Sequence, residues 1–153
     1  MKKRNQIQEQ YKWKTSDIYA NEDDLLKDID YIKSHIEIIA SYKGKLNNKN
    51  TILEFFDMEE KLDMIGEKVG AYLYLKHSEN LETQKYVQLL NTVQSIETNL
   101  SVAGSYVQSE LLNNGVEFLN ELASDKDMAN YKLDILELVR NKPHVLSEVE
   151  NKV

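Results

Sequence analysis

Three histidines, His35, His77 and His144, are the side chains best suited to hold a catalytic metal, and they stand 42 and 67 residues apart. A mononuclear hydrolytic zinc site draws together about three nitrogen or carboxylate ligands, usually two His one helical turn apart with a Glu between them as general base. No pair of these histidines can share a helical face through local spacing. His144 and Glu148 stand four apart, yet Pro143 and a capping Ser147 put them across a loop-to-helix junction. His35, beside an apolar stripe, and His77, at a helix end, read as packing or capping residues. A serine nucleophile fares no better. The nearest approach to a nucleophile elbow, Ala103-Gly104-Ser105-Tyr106, falls mid-helix and reads as small-residue packing. The glycines are scattered, so no phosphate-cradling loop forms. Glu59-Glu60 and Asp23-Asp24 are acidic runs of the kind that solvate a helix face or complement its dipole. The chain therefore nominates no catalytic, cofactor-binding or metal-ligating residue of its own.

The nine tyrosines (Tyr11, Tyr19, Tyr31, Tyr42, Tyr72, Tyr74, Tyr86, Tyr106, Tyr131) are the one compositional feature suited to binding, because each offers an apolar body with a polar tip. Most fall on or beside apolar stripes, where packing explains them. Tyr72-Leu73-Tyr74-Leu75 is apolar on both sides of its helix and is expected to face a partner.

Those residues sit on a chain of 153 residues with a net charge of -7, enough for one domain with a real core. Phosphate-binding surfaces need clustered Lys and Arg, so nucleic acid is excluded as a partner. Residues 1–14 do carry five basic groups (Lys2, Lys3, Arg4, Lys12, Lys14) against the single acid Glu9. The polar run Asn5-Gln6-Ile7-Gln8-Glu9-Gln10 that follows lacks the apolar stretch of an export signal, and no run of about 18 apolar residues suggests a membrane span. The absence of cysteine removes disulfides, thiol catalysis and zinc-thiolate sites, and fits a cytoplasmic location.

A single proline, five glycines and helical periodicity predict an all-α fold. Asn21 is expected to cap a first helix with the stripe Leu25, Ile29, Ile32, Ile36 and Ile39, closed by Tyr42-Lys43-Gly44-Lys45, whose glycine can take positive φ. Thr51 and Glu54 read as a capping box opening a long second helix with Phe55, Met58, Leu62, Ile65, Val69, Tyr72 and Leu73 inward. Gly66 and Gly70, inside that helix, predict close approach of a neighbouring backbone. A third stripe from Tyr86 through Leu89, Leu90, Val93, Ile96, Leu100, Ala103 and Val107 runs to Leu111-Leu112, antiparallel to the second, before a stop at Asn113-Asn114-Gly115. Val116, Phe118, Leu119 and Leu122 suggest a short helix, and Tyr131, Ile135, Leu138 and Val139 another, halted at Lys142-Pro143. The expected architecture is an antiparallel bundle of three long helices plus two shorter ones. Residues 1–20 form a basic, irregular lead-in, 21–146 the bundle, and 147–153 the truncated start of a further helix, for which Ser147 and Glu150 write a cap without a body.

The segment Tyr11-Lys12-Trp13-Lys14-Thr15-Ser16-Asp17-Ile18-Tyr19-Ala20-Asn21 resembles the opening of oligoendopeptidase F, a zinc peptidase family. Further likenesses follow in order: Tyr42-Lys43-Gly44-Lys45-Leu46, Ala71-Tyr72-Leu73-Tyr74-Leu75, Ser109-Glu110-Leu111-Leu112 and Lys142-Pro143-His144-Val145-Leu146-Ser147-Glu148. The resemblance implies an amino-terminal helical domain that walls the substrate channel and restricts cleavage to short peptides. It also implies that zinc and the His-Glu-x-x-His motif belong to a catalytic domain absent from this chain, which alone is expected to be inactive. The implied partners are that catalytic domain and the oligopeptide substrate, with neither nucleic acid nor membrane. The alternative is a stand-alone helical module that binds a protein or peptide without enzymatic activity.

Overall fold

The computed structural model describes residue 8, residues 11–79 and residues 84–142. Its helices are α1 (Glu22–Ser41), α2 (Lys49–Glu79), α3 (Gln84–Ala103), α4 (Val107–Asn113), α5 (Val116–Ser124) and α6 (Lys132–Asn141). Short 3-10 turns lie at Thr15–Asp17 and Lys126–Tyr131, and no strand occurs among the described residues. The fold is an all-α bundle, as periodicity predicts. The chain separates into two compact units, Met1–Ser34 with Leu62–Thr98 and His35–Lys61 with Asn99–Val153.

In the first unit, the Asn21 side chain accepts the Asp24 N–H at 3.0 Å and donates to the Asp24 carboxylate at 2.8 Å, which fixes the start of α1. Glu22, Asp23 and Asp24 complement the dipole in the first turn. Leu25, Ile29 and Ile32 then point inward, as do Leu62, Val69, Tyr72 and Leu73 from α2 and Val93 and Ile96 from α3. Each such aliphatic side chain contributes about 1.5–3 kcal/mol relative to exposure. Lys68 of α2 meets Asp28 of α1 at 3.1 Å, and Lys85 at the start of α3 meets Glu22 at the start of α1 at 2.6 Å. With Tyr19, just before α1, against Tyr72 of α2, the Lys68–Asp28 pair sets α2 antiparallel to α1 in this unit.

In the second unit the core gathers Ile39, Leu46, Ile52, Phe55, Tyr106, Leu111, Leu119, Leu122, Met128 and Ile135. Gly44, with φ of 80°, turns the chain after α1, and Gly115, with φ of 92°, does the same before α5.

Four local expectations change. The cap of α2 is Asn48, whose Oδ1 accepts the Thr51 N–H at 3.1 Å, so Thr51 sits inside the first turn and is no N-cap. The third stripe does not form one helix: residues 104–106 make a turn that separates α3 from α4. A Cβ added at Gly66 or Gly70 would meet nothing within 4 Å, so no backbone approaches either glycine among the described residues. The inward position on α1 between Ile32 and Ile39 is taken by His35, while Ile36 is only half-buried. His144, Ser147, Glu148 and Glu150, with the expected helix start at 147–153, lie outside the described residues.

Candidate functional site

Four of the five segments that carry the resemblance meet in pairs, and each meeting is a latch built from hydrogen bonds and rings. In the first unit the 3-10 turn at Thr15–Asp17 tucks Thr15 and Tyr19 into the interior. Tyr19 stands edge-on to Tyr72 with ring centroids 5.2 Å apart. Its hydroxyl donates to Asp28 at 2.6 Å, and Lys68 caps the same ring at 4.0 Å while pairing with Asp28. Burial, then the adjoining Asp28 carboxylate, pushes the Tyr19 phenol well above its ordinary pKa, so it stays a neutral donor.

The second unit joins the segment around Gly44 to that around Glu110. One Glu110 oxygen accepts the Gly44 N–H at 2.8 Å and the other the Leu46 N–H at 2.7 Å. Asn114, one turn further along α4, donates to the Leu46 carbonyl at 2.8 Å. Two side chains of a short helix thereby take up backbone groups of the loop, the Gly44 N–H where it is exposed and the Leu46 N–H and carbonyl where they are part-buried. Tyr106 donates its hydroxyl to the Ile39 carbonyl at 2.6 Å, and Lys43 lies 5.9 Å from the Tyr106 ring centroid. Lys49 closes the far side, reaching Asp125 at 2.8 Å and Asp127 at 2.6 Å.

The residues weighed for chemistry fall elsewhere. His35 is buried in the second unit, and His77 lies near the end of α2 in the first with a buried Nδ1 that has no hydrogen-bond partner among the described residues. No group of three His, Cys, Asp or Glu among the described residues can hold a metal ion. The described side chains therefore supply no donor set for zinc. Ser105 is exposed in the turn between α3 and α4, not mid-helix. A Cβ added at its neighbour Gly104 would lie 3.4 Å from the Leu100 carbonyl and 3.7 Å from Ile39, ordinary contact distances that leave room for one. Asp24 is held below the usual carboxylate range by Lys27 and Asn21, a capping role. Glu60 and Asp57 accept from the Tyr131 hydroxyl at 2.8 and 2.6 Å.

The run expected to face a partner divides. Tyr72 and Leu73 are buried, whereas Tyr74 is 67% exposed. Residues 12–16 line a cleft of about 400 Å³ beside an exposed Trp13. Sequence reasoning passed over Met128, wholly buried in the 3-10 turn at Lys126–Tyr131, and the Asp125 side chain that accepts the Asp127 N–H at 2.9 Å there. The Asp-x-Asp spacing was the available sign. No helix among the described residues is long and apolar enough to cross a membrane.

Compared with curated proteins, the chain is similar over nearly its whole length to several peptidases. It is 27% identical to an oligoendopeptidase F homolog of Borreliella burgdorferi, with 98% of this chain and 25% of that protein covered. It is 29% identical to an oligoendopeptidase F homolog of Mycoplasma genitalium, covering 90% and 23% respectively. Against the oligopeptidase PepF of Bacillus subtilis the identity is 23%, with 96% of this chain and 22% of the relative covered. The chain thus spans about a quarter of the length of the curated relatives it matches. No family model and no solved structure matches it.

Proposed function

We propose that this chain is the amino-terminal helical part of an oligoendopeptidase F-like zinc endopeptidase of the cytoplasm, serving to wall the substrate channel and admit only short peptides. The observation that carries the proposal is the chain-long likeness to a quarter of several oligopeptidases. The latches support it, because the segments that most resemble the family hold helices together and present no reactive group. In this setting zinc and the general base belong to the catalytic domain, and oligopeptide is the substrate of the whole protein. The role of this part is shape: a wall excludes folded proteins by sterics and keeps water from the reacting peptide.

The DNA that follows the codon for Val153 tests the proposal. A continuation encoding His-Glu-x-x-His, in frame or after a frame shift, is the expected result. An intergenic sequence there would overturn it in favour of a stand-alone interaction module.

A further inference from the structure

Within the first unit, one side of α2 has no cover among the described residues. Leu62, Val69, Tyr72 and Leu73 take the inward side. By helical spacing the opposite side carries Asp63, Met64, Glu67, Gly70, Ala71 and Tyr74. Met64 is 66% exposed and Tyr74 67%, and the space over Gly70 is open to at least 4 Å from where a Cβ would lie. The surface therefore carries two apolar side chains ten residues apart, with Glu67 between them and an open recess at Gly70 beside Tyr74.

Its charge is one-sided. Asp63 and Glu67, one turn apart, have no hydrogen bond or ion pair among the described residues, and like charges at this spacing repel. Asp63, although exposed as a residue, has its carboxyl held above the usual range by partial burial and then by the charge of Glu67. The nearby cations are engaged elsewhere: Lys68 with Asp28 and the Tyr19 ring, Lys76 with Glu79 and the Tyr72 ring.

We infer that this side of α2 seats a cationic amphipathic helix, whose apolar stripe covers Met64 and Tyr74 across the recess at Gly70 and whose Lys or Arg side chains reach Asp63 and Glu67. Charge complementarity selects the occupant, since a neutral or acidic helix would leave two repelling carboxylates uncompensated. The spacing of the anchors, at three and four residues, is that of one helix lying along another. The inference stands on this surface alone and does not require the peptidase setting.

The test is fluorescence anisotropy of a labelled leucine-lysine amphipathic peptide titrated with the full 153-residue chain, beside a twin with Glu for Lys and a scrambled peptide of the same composition. The expected result is binding of the ordered lysine peptide alone. Met64→Ser with Tyr74→Ser should weaken it by about tenfold or more, as should Asp63→Asn with Glu67→Gln. Val102→Ser, at an exposed apolar position of the other unit, should leave it unchanged. Absence of binding, equal binding of the scrambled peptide, or binding insensitive to both double variants would overturn the inference. Circular dichroism of each variant checks that the exposed substitutions leave the helices intact.

Discussion

The Tyr106 hydroxyl donates to the Ile39 carbonyl at 2.6 Å, joining residues 67 apart in sequence inside the second unit. The same carbonyl also accepts the Tyr42 N–H at 3.1 Å, so it is not orphaned if the phenol is lost. Tyr106→Phe is expected to cost about 1 kcal/mol, the net value of one buried hydrogen bond. Urea unfolding should show a lower midpoint with an unchanged slope.

The same residue gives a pH dependence. Burial, followed by the charges of Glu110 and Glu59 and by Tyr42, pushes the Tyr106 phenol from 10.0 up to about 12. A group whose folded pKa is raised contributes stability that is complete below its unfolded pKa and lost as pH rises through the folded one. Stability should therefore fall between pH 10.0 and about 12, and Tyr106→Phe should flatten that fall. An identical alkaline profile in both proteins would contradict the assignment.

The two glycines inside α2 offer a stabilising substitution. With nothing within 4 Å of either Cβ position, Gly66→Ala and Gly70→Ala are each expected to raise stability by up to about 1 kcal/mol, since alanine removes the entropy penalty without a clash. Thermal melting reads this directly. A lowered midpoint would mean that the space is occupied.

At the start of α2, Asn48→Ala should cost about 1 kcal/mol and Thr51→Ala distinctly less, because Asn48 holds the N–H. The reverse order, measured by urea unfolding, would restore the capping box that the sequence suggests.

The loop latch predicts that Glu110→Gln costs about 1–3 kcal/mol, since one of two charge-assisted bonds to Gly44 and Leu46 is replaced by an amide facing an N–H. Gly44→Ala, at φ of 80°, should cost about 1–2 kcal/mol through backbone strain. Because both act on one loop, the double variant should fall short of the sum, a comparison that a double-mutant cycle makes.

Long-period features of the fold were legible in the sequence, because burial imposes a spacing of three and four on Leu25, Ile29, Ile32 and Ile39 and on Leu62, Val69 and Leu73. What escaped depends on contacts distant in sequence. Ala103, Val107 and Leu111 keep helical spacing through the turn at residues 104–106, so spacing alone does not mark the break. Asn48 and Thr51 are both good caps, and which one acts is settled by where Glu110 and Asn114 hold the preceding loop. The run at residues 72–75 is apolar on two sides, and the position of Tyr19 decides that Tyr72 goes in and Tyr74 out. Of the candidate site, sequence could show only that the familiar ligand spacings do not occur; the surface of α2 required knowing which side the core takes.

The central proposal is that this chain shapes access to a peptidase site and performs no hydrolysis itself. The most direct measurement compares turnover of a short fluorogenic peptide and of a labelled folded protein by three zinc-supplied proteins: this chain, a longer protein in which the proposed catalytic domain follows it, and that domain without the chain. The account predicts no chelator-sensitive turnover by the chain alone, and a preference for the short peptide in the longer protein that weakens when the chain is removed. Chelator-sensitive hydrolysis by the chain alone, or a peptide preference unchanged by its removal, would contradict it.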